Sequence, residues 1–146
     1  MTTCRSNRYI FAIDPGSEQS AFVLYDSHDK VILDKGIVDN SEMMDILDAG
    51  TKSDITAIEM VASYGMPVGK DVFQTCVWVG RFDPDASATL VYRKDVKMHL
   101  CGSMRAKDSN IRQALIDKLG KEATRGVSKD VWSALAVAVT VAEKDG

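Results

Sequence analysis

Residues 9–26, YIFAIDPGSEQSAFVLYD, contain two apolar runs that are separated by a short turn segment. The first run has the length and composition of a buried strand, and it ends at Asp14. Pro15 and Gly16 then predict a tight turn, so that the second run returns as an antiparallel strand. A strand that ends in a carboxylate at a turn has two interpretations. The carboxylate is either an ordinary turn residue or a residue at the edge of an active site. The rest of the chain decides between these two interpretations.

Strand and helix patterns alternate along the remainder of the chain. A third strand pattern over residues 31–38 completes an antiparallel meander. The later patterns are a helix capped by Ser41 and ended by Gly50, a strand over 54–60, a helix over 71–82, a strand over 88–93, and helices over 109–120 and 129–143. This order predicts an α/β fold in a single domain over residues 1–146, with a five-stranded mixed sheet flanked by helices on both faces. It resembles the ribonuclease H-like architecture, in which the first and fourth strands lie side by side.

Three acidic residues occur where the chain is otherwise apolar. Asp14 ends the first strand, Glu59 lies near the end of the fourth, and Asp130 opens the last helix. Carboxylates that are buried together repel one another unless a cation neutralises them. Their hard oxygen atoms suit Mg²⁺ or Mn²⁺, and two such ions in one site activate water and stabilise the leaving oxygen of a phosphodiester. Taken singly, Asp14 is also explained as a turn residue and Asp130 as a favourable charge at a helix N-terminus.

Charge is distributed unevenly along the chain. Residues 1–92 contain 7 Lys and Arg against 14 Asp and Glu, whereas residues 93–129 contain 10 against 4. The basic segment predicts that an anionic partner docks on one face, although a lysine-rich helix surface that serves solubility gives the same count.

No apolar run approaches the ~20 residues of a membrane span, and the N-terminus lacks the apolar core of a secretory signal. We therefore expect a cytoplasmic location and no membrane partner.

Four segments resemble successive blocks of the RuvC family of Holliday junction resolvases, and most of all its phage-encoded relatives. These segments are AIDPGSEQSAFVLYD, AIEMV, VKMHLCGSMRAKDSNIRQAL and DVWSALAVAVT. The resemblance implies that Asp14 and Glu59 hold the catalytic metals and that Asp130 is the carboxylate opening the last helix. It also implies that Lys107 and Lys97 contact the scissile region or the DNA backbone, and we assign to Lys107 the catalytic role of stabilising the charge that develops during cleavage.

The resemblance breaks at one ligand position. The bacterial enzymes of the family carry a second aspartate three residues into the last helix, where this chain has Ser133. A serine hydroxyl is a neutral and weak metal ligand. Asp130 and Ser133 are three residues apart and share a helix face, so both remain candidate ligands. Either the site is complete with Asp130 alone, or an acidic residue elsewhere in the chain supplies the missing carboxylate.

Basic and aromatic residues around these motifs are candidates for DNA contacts. Cationic side chains contact phosphates without reading sequence, and we assign this role to Lys97, Arg105, Lys107, Arg112 and Arg125. Lys118 and Lys121 are explained better as parts of a solvated helix face. Tyr64, in a glycine-containing loop, is a candidate to stack on bases at a branch point, with packing on the following helix as the alternative.

These features predict a metal-dependent, structure-selective endonuclease that acts on four-way and branched DNA junctions. The resemblance implies a homodimer in which each subunit nicks one of two strands and leaves 5′-phosphate and 3′-hydroxyl ends. One alternative is a nuclease of other branched DNA or of RNA–DNA hybrids. A second is a junction-binding protein without catalysis, for which Ser133 is the main argument. A relative of the sugar-kinase and actin superfamily is disfavoured, because those proteins need two such domains.

Overall fold

The computed structural model describes residues 8–62 and 67–145. Its strands are β1 (Tyr9–Asp14), β2 (Gln19–Asp26), β3 (Val31–Asp39), β4 (Ile55–Met60) and β5 (Thr89–Tyr92). They form one sheet in the order β3-β2-β1-β4-β5. The first three strands pair antiparallel, whereas β1 pairs parallel with β4, and β4 with β5. The predicted five-stranded mixed sheet is confirmed, and so is the adjacency of the first and fourth strands.

Five helices accompany the sheet in the described part of the chain: α1 (Asn40–Ala49), α2 (Lys70–Phe82), α3 (Arg93–Cys101), α4 (Asp108–Leu119) and α5 (Val131–Asp145). The sequence patterns predicted four of them and missed α3. This helix is short and mostly polar, and it buries only Val96 and Leu100, so its apolar periodicity is too brief to recognise. The N-cap of α1 was also predicted wrongly, because Asp39 rather than Ser41 stands there.

Side chains that alternate along β1 contribute to two separate cores, one on each face of the sheet. Ile10 and Ala12 belong to the core that α3, α4 and α5 cover. Phe11 and Ile13 belong to the core on the opposite face, which α1 and α2 cover. Helices therefore flank both faces of the sheet, as the order of elements predicted.

The last helix, α5, owes its apolar sequence to its place in the core. Residues 134–141 are all buried, and the helix packs against β1 and β2. Alanine and valine dominate this stretch, and they fill the space between a helix and a sheet without burying polar atoms. Within residues 8–62 and 67–145, no helix has the length and apolar character needed to cross a membrane.

An ion pair closes the end of the sheet that is remote from Asp14. Arg8 donates from Nε and Nη2 to the two carboxylate oxygens of Asp26, at 3.0 and 2.9 Å. The backbone N–H groups of His28 and Asp29 donate to Oδ1 of Asp26 at 3.0 and 3.2 Å, which fixes the turn between β2 and β3. The hydrogen bonds from Arg8 lower the pKa of Asp26 to about 2.

Asp26→Asn is expected to lower the free energy of unfolding at neutral pH by about 1–3 kcal/mol, because it removes the charged partner that accepts two hydrogen bonds from Arg8 and leaves only the exposed Asp29, at 3.3 Å. The pKa of Asp26 is lower in the folded chain than its ordinary value of 3.8. The stabilisation is therefore present above that ordinary value and is lost as the pH falls towards 2. Urea unfolding at pH 7 and pH 3 measures the effect, with the exposed Asp45→Asn as a matched control. A loss of equal size at both pH values contradicts this account.

Candidate active site

Asp14 and Glu59 lie side by side where two parallel strands end. Asp14 is the last residue of β1, and Glu59 is the last but one of β4. The register pairs Ile13 with Ile58, so the next residue of each strand is a neighbour of the other and projects to the same face of the sheet. Ile13 and Ile58 belong to the core under α1 and α2. The two carboxylates therefore face the side that α5 covers.

A hydrogen-bonded network fixes the turn that follows Asp14. Asn40 is buried at the start of α1 and donates from Nδ2 to the carbonyl oxygen of Gly16 at 2.9 Å. Ser20 Oγ donates to Asn40 Oδ1 at 2.6 Å and accepts from the N–H of Gly16 at 3.2 Å. A Cβ on Gly16 would lie 2.3 Å from the carbonyl oxygen of Gln19, so only glycine fits. The turn is thereby anchored to β2 and α1, through two residues, Ser20 and Asn40, whose role was not predicted from the sequence.

Burial and mutual repulsion disfavour the charged forms of both carboxylates. Burial raises the pKa of Asp14 to about 8, and the charges of Glu59 and Asp130 contribute to this rise. Arg93 opposes the rise but does not cancel it. Burial also raises the pKa of Glu59, against a lowering by Arg93, and Asp108 and Asp130 raise it further. This excess of negative charge is the electrostatic condition for binding a divalent cation.

Asp130 immediately precedes α5, and its charge affects the two carboxylates at this edge of the sheet. It is exposed, and its charge contributes to the raised pKa of both Asp14 and Glu59. Among the residues that the structure describes, no three Asp, Glu, His or Cys side chains lie close enough to hold one ion together. Mg²⁺ is commonly held by one or two carboxylates, with waters and substrate phosphates as its other ligands. Asp14 and Glu59 fit that arrangement, with Asp130 at its border.

Arg93 enters the site from the first turn of α3, and it is not among the site residues predicted from the sequence. Its Nη1 lies 3.6 Å from Oε1 of Glu59 and donates to Oγ of Ser133 at 3.4 Å. Its Nη2 forms an ion pair with Asp108. Arg93 directly follows β5, which pairs with β4 beside Glu59. No local sequence pattern distinguishes Arg93 from the other cations of the basic segment, because the pairing of β5 with β4 appears only in the folded sheet.

A cavity of about 210 Å³ opens between Arg93, α4 and the start of α5. Asp108, Arg112, Asp130 and Ser133 line it, so Asp130 and Ser133 do face one space, as their spacing predicted. Arg112, one of the predicted DNA-binding residues, also lines this cavity. A second cavity, beside the first, is lined by Arg93 together with Lys94, Lys97 and Met104.

The other predicted DNA contacts are spread over a wider surface. The exposed Lys107 precedes α4 and does not line the cavity with Asp130. Arg105 lies on a separate depression between α3 and α4. Arg125 pairs with Glu122 at 3.2 Å and lies beside the turn between β2 and β3, away from the strand ends that carry the carboxylates. Tyr64 lies outside the described residues.

Comparison with known proteins identifies the fold. No family model matches the sequence, and no curated protein sequence matches it either. The structure is similar to that of Thermus thermophilus RuvC, with 18% sequence identity and a TM-score of 0.65 over 90% of this chain and 92% of that chain. It is also similar to T. thermophilus RuvC in complex with Holliday junction substrate, with 17% identity and a TM-score of 0.68 over 91% and 92% of the two chains. The chain therefore has the RuvC fold, which the four sequence segments implied.

Proposed function

We propose that this protein is a metal-dependent, structure-selective DNA endonuclease that cuts four-way junctions. The observation that carries the proposal is the pair of carboxylates, Asp14 and Glu59, at the ends of β1 and β4. Burial raises the pKa of both groups, so their ionised forms cost stability, and such a cost is typical of a functional site. The likeness to a RuvC structure that contains a Holliday junction substrate supports the choice of DNA substrate.

The residues of the site fit a divalent cation with hard oxygen ligands. Asp14 and Glu59 would hold Mg²⁺ or Mn²⁺, and the remaining positions would be filled by water and by the phosphate. When bound, the cation supplies Lewis acidity at the phosphate and at the attacking water. Asp130, exposed at the border of the site, would orient that water. Arg93 rather than Lys107 is the cation that contacts Glu59, so we assign the stabilisation of developing phosphate charge to Arg93.

Basic side chains line the two cavities that Arg93 borders, where DNA phosphates would lie. Lys94 and Lys97 line the cavity on one side of Arg93, and Arg112 and Lys129 line the cavity on the other. Phosphate contacts of this kind fix the position of DNA without reading its sequence. They also release counterions, so we propose that junction binding weakens steeply as salt is raised.

We also propose a homodimer, because paired nicks in one junction need two active sites. An exposed apolar stripe on α2 fits the role of subunit contact. Phe73 and Val77 are one helical turn apart and are 63% and 53% exposed. The opposite face of α2 buries Thr75, Val79 and Phe82 against the sheet. The stripe is thus free of the contacts that hold α2 to its own chain.

Phe73→Glu is expected to halve the mass of the particle in solution, because a charge in an apolar subunit contact must be desolvated without a partner. Size-exclusion chromatography with light scattering measures that mass. The control is Leu33→Glu, which places the same charge at a site of 52% exposure on β3. A wild-type monomer, or a variant that remains dimeric, contradicts this assignment of the interface.

A panel of synthetic substrates tests the proposed function. A four-way junction, a fork, a linear duplex and an RNA–DNA hybrid are each incubated with the protein and Mg²⁺ or Mn²⁺. Faster cleavage of the junction than of the other three supports the proposal. Preferential cleavage of the fork or the hybrid indicates a nuclease of the same fold with another substrate. Tight junction binding without cleavage in either metal indicates a junction-binding protein, the alternative that Ser133 favours.

A further inference from the structure

Arg93 places a positive charge inside a site that we propose to hold metal ions. Its guanidinium contacts three oxygen-bearing side chains, Glu59, Ser133 and Asp108. The Arg93 side chain is 27% exposed, so these contacts are partly shielded from solvent. A guanidinium also stays charged at every pH at which a protein folds. The site therefore contains one permanent cation before any metal ion binds.

The partners of Arg93 are the groups that a second metal ion would need. Glu59 and Asp108 are carboxylates, and Ser133 shares the cavity with Asp130. A divalent cation such as Mg²⁺ requires oxygen ligands at about 2.0–2.1 Å, and it is repelled by a guanidinium within ~4 Å. Asp14 makes no ion pair with Arg93, and it remains available together with the second oxygen of Glu59.

We propose that Arg93 takes the place of a second metal ion, so that each site binds a single divalent cation between Asp14 and Glu59. This inference rests on the proposed function and replaces the two ions predicted from the sequence with one ion and one guanidinium. Arginine suits this role because its planar N–H groups bind phosphate oxygens in pairs. Asp108 is then a positioning residue. Asp108, which lines the same cavity as Ser133, forms an ion pair with Arg93 and therefore does not serve as a metal ligand.

The number of Mn²⁺ ions bound per chain tests this inference. Electron paramagnetic resonance of free Mn²⁺ counts bound ions in a titration of the purified protein without DNA. We expect one ion in the wild type and one in Arg93→Lys, which keeps the charge. We expect two ions in the double variant Arg93→Gln with Ser133→Asp, which removes the charge and adds a carboxylate. Circular dichroism establishes that each variant is folded.

Two ions bound to the wild type, or a single ion bound to the folded double variant, overturns the inference. If the double variant does not fold, the number of ions bound to the wild type still tests the inference, because two bound ions contradict a site in which Arg93 replaces the second ion. The count does not depend on cleavage. One bound ion without cleavage of any substrate contradicts the proposed function and supports the single-ion site. Two bound ions with junction cleavage support the proposed function and overturn the single-ion site.

Discussion

Asp14→Asn slows the cleavage of a four-way junction by at least about 10³-fold in Mg²⁺ or Mn²⁺, because the amide cannot supply the anionic oxygen that holds the cation. The backbone of the turn should be unchanged, since Gly16, Ser20 and Asn40 fix it without the Asp14 side chain. Junction affinity in a chelator at pH 7 should be nearly unchanged, because burial raises the pKa of Asp14 to about 8 and the metal-free carboxyl is already mostly protonated.

Single-turnover cleavage, with the protein in excess over a labelled junction, measures this loss separately from binding. Asp45→Asn makes the same chemical change at an exposed position of α1 and should cleave at the wild-type rate. Cleavage by Asp14→Asn within about tenfold of the wild-type rate contradicts the assignment of Asp14 to the reaction.

The same substitution is expected to stabilise the metal-free protein at alkaline pH. Asp14 has a pKa of about 8 in the folded chain against an ordinary value of 3.8. Between these values the folded chain retains a proton that the unfolded chain has released, so stability falls as the pH rises. Asparagine has no proton to lose. At pH 9, Asp14→Asn should therefore exceed the wild type in free energy of unfolding by at least about 2 kcal/mol.

Urea unfolding in a chelator at pH 5, 7 and 9 measures this difference. The advantage of Asp14→Asn should grow from pH 5 to pH 8 and then remain constant. Added Mn²⁺ should stabilise the wild type more than Asp14→Asn, since only the wild type has both ligands. An advantage that does not change with pH contradicts the burial of an ionisable Asp14.

Apolar patterning predicted most of the fold. Most strands of the sheet are short, apolar and bounded by turn residues, and the adjacency of β1 and β4 was predicted from the resemblance of the element order to the ribonuclease H-like architecture. The failure at α3 has a physical cause, because this helix is held by only two buried side chains, Val96 and Leu100. The apolar spacing of α2 identified a helix, but only tertiary packing decided that Phe73 and Val77 stay exposed.

The candidate site was predicted only where a single residue type stands out from its surroundings. Asp14 and Glu59 interrupt apolar strands, so their positions marked them. Arg93 is one of many cations in a basic segment, and its importance comes from contacts with Glu59, on the neighbouring strand β4, and with Ser133, which is 40 residues away in the chain. Asn40 likewise acts through a bond to Gly16, 24 residues away. Contacts of this kind depend on the closed fold and have no local sequence pattern.

The most direct test of the central claim is to map the cleavage products of a four-way junction on each of its four strands. The account predicts two nicks at symmetric positions on two strands, with 5′-phosphate and 3′-hydroxyl ends, which require Mg²⁺ or Mn²⁺ and disappear in Asp14→Asn. A junction that is bound but remains uncut with either metal, or a linear duplex that is cut as fast as the junction, contradicts the account.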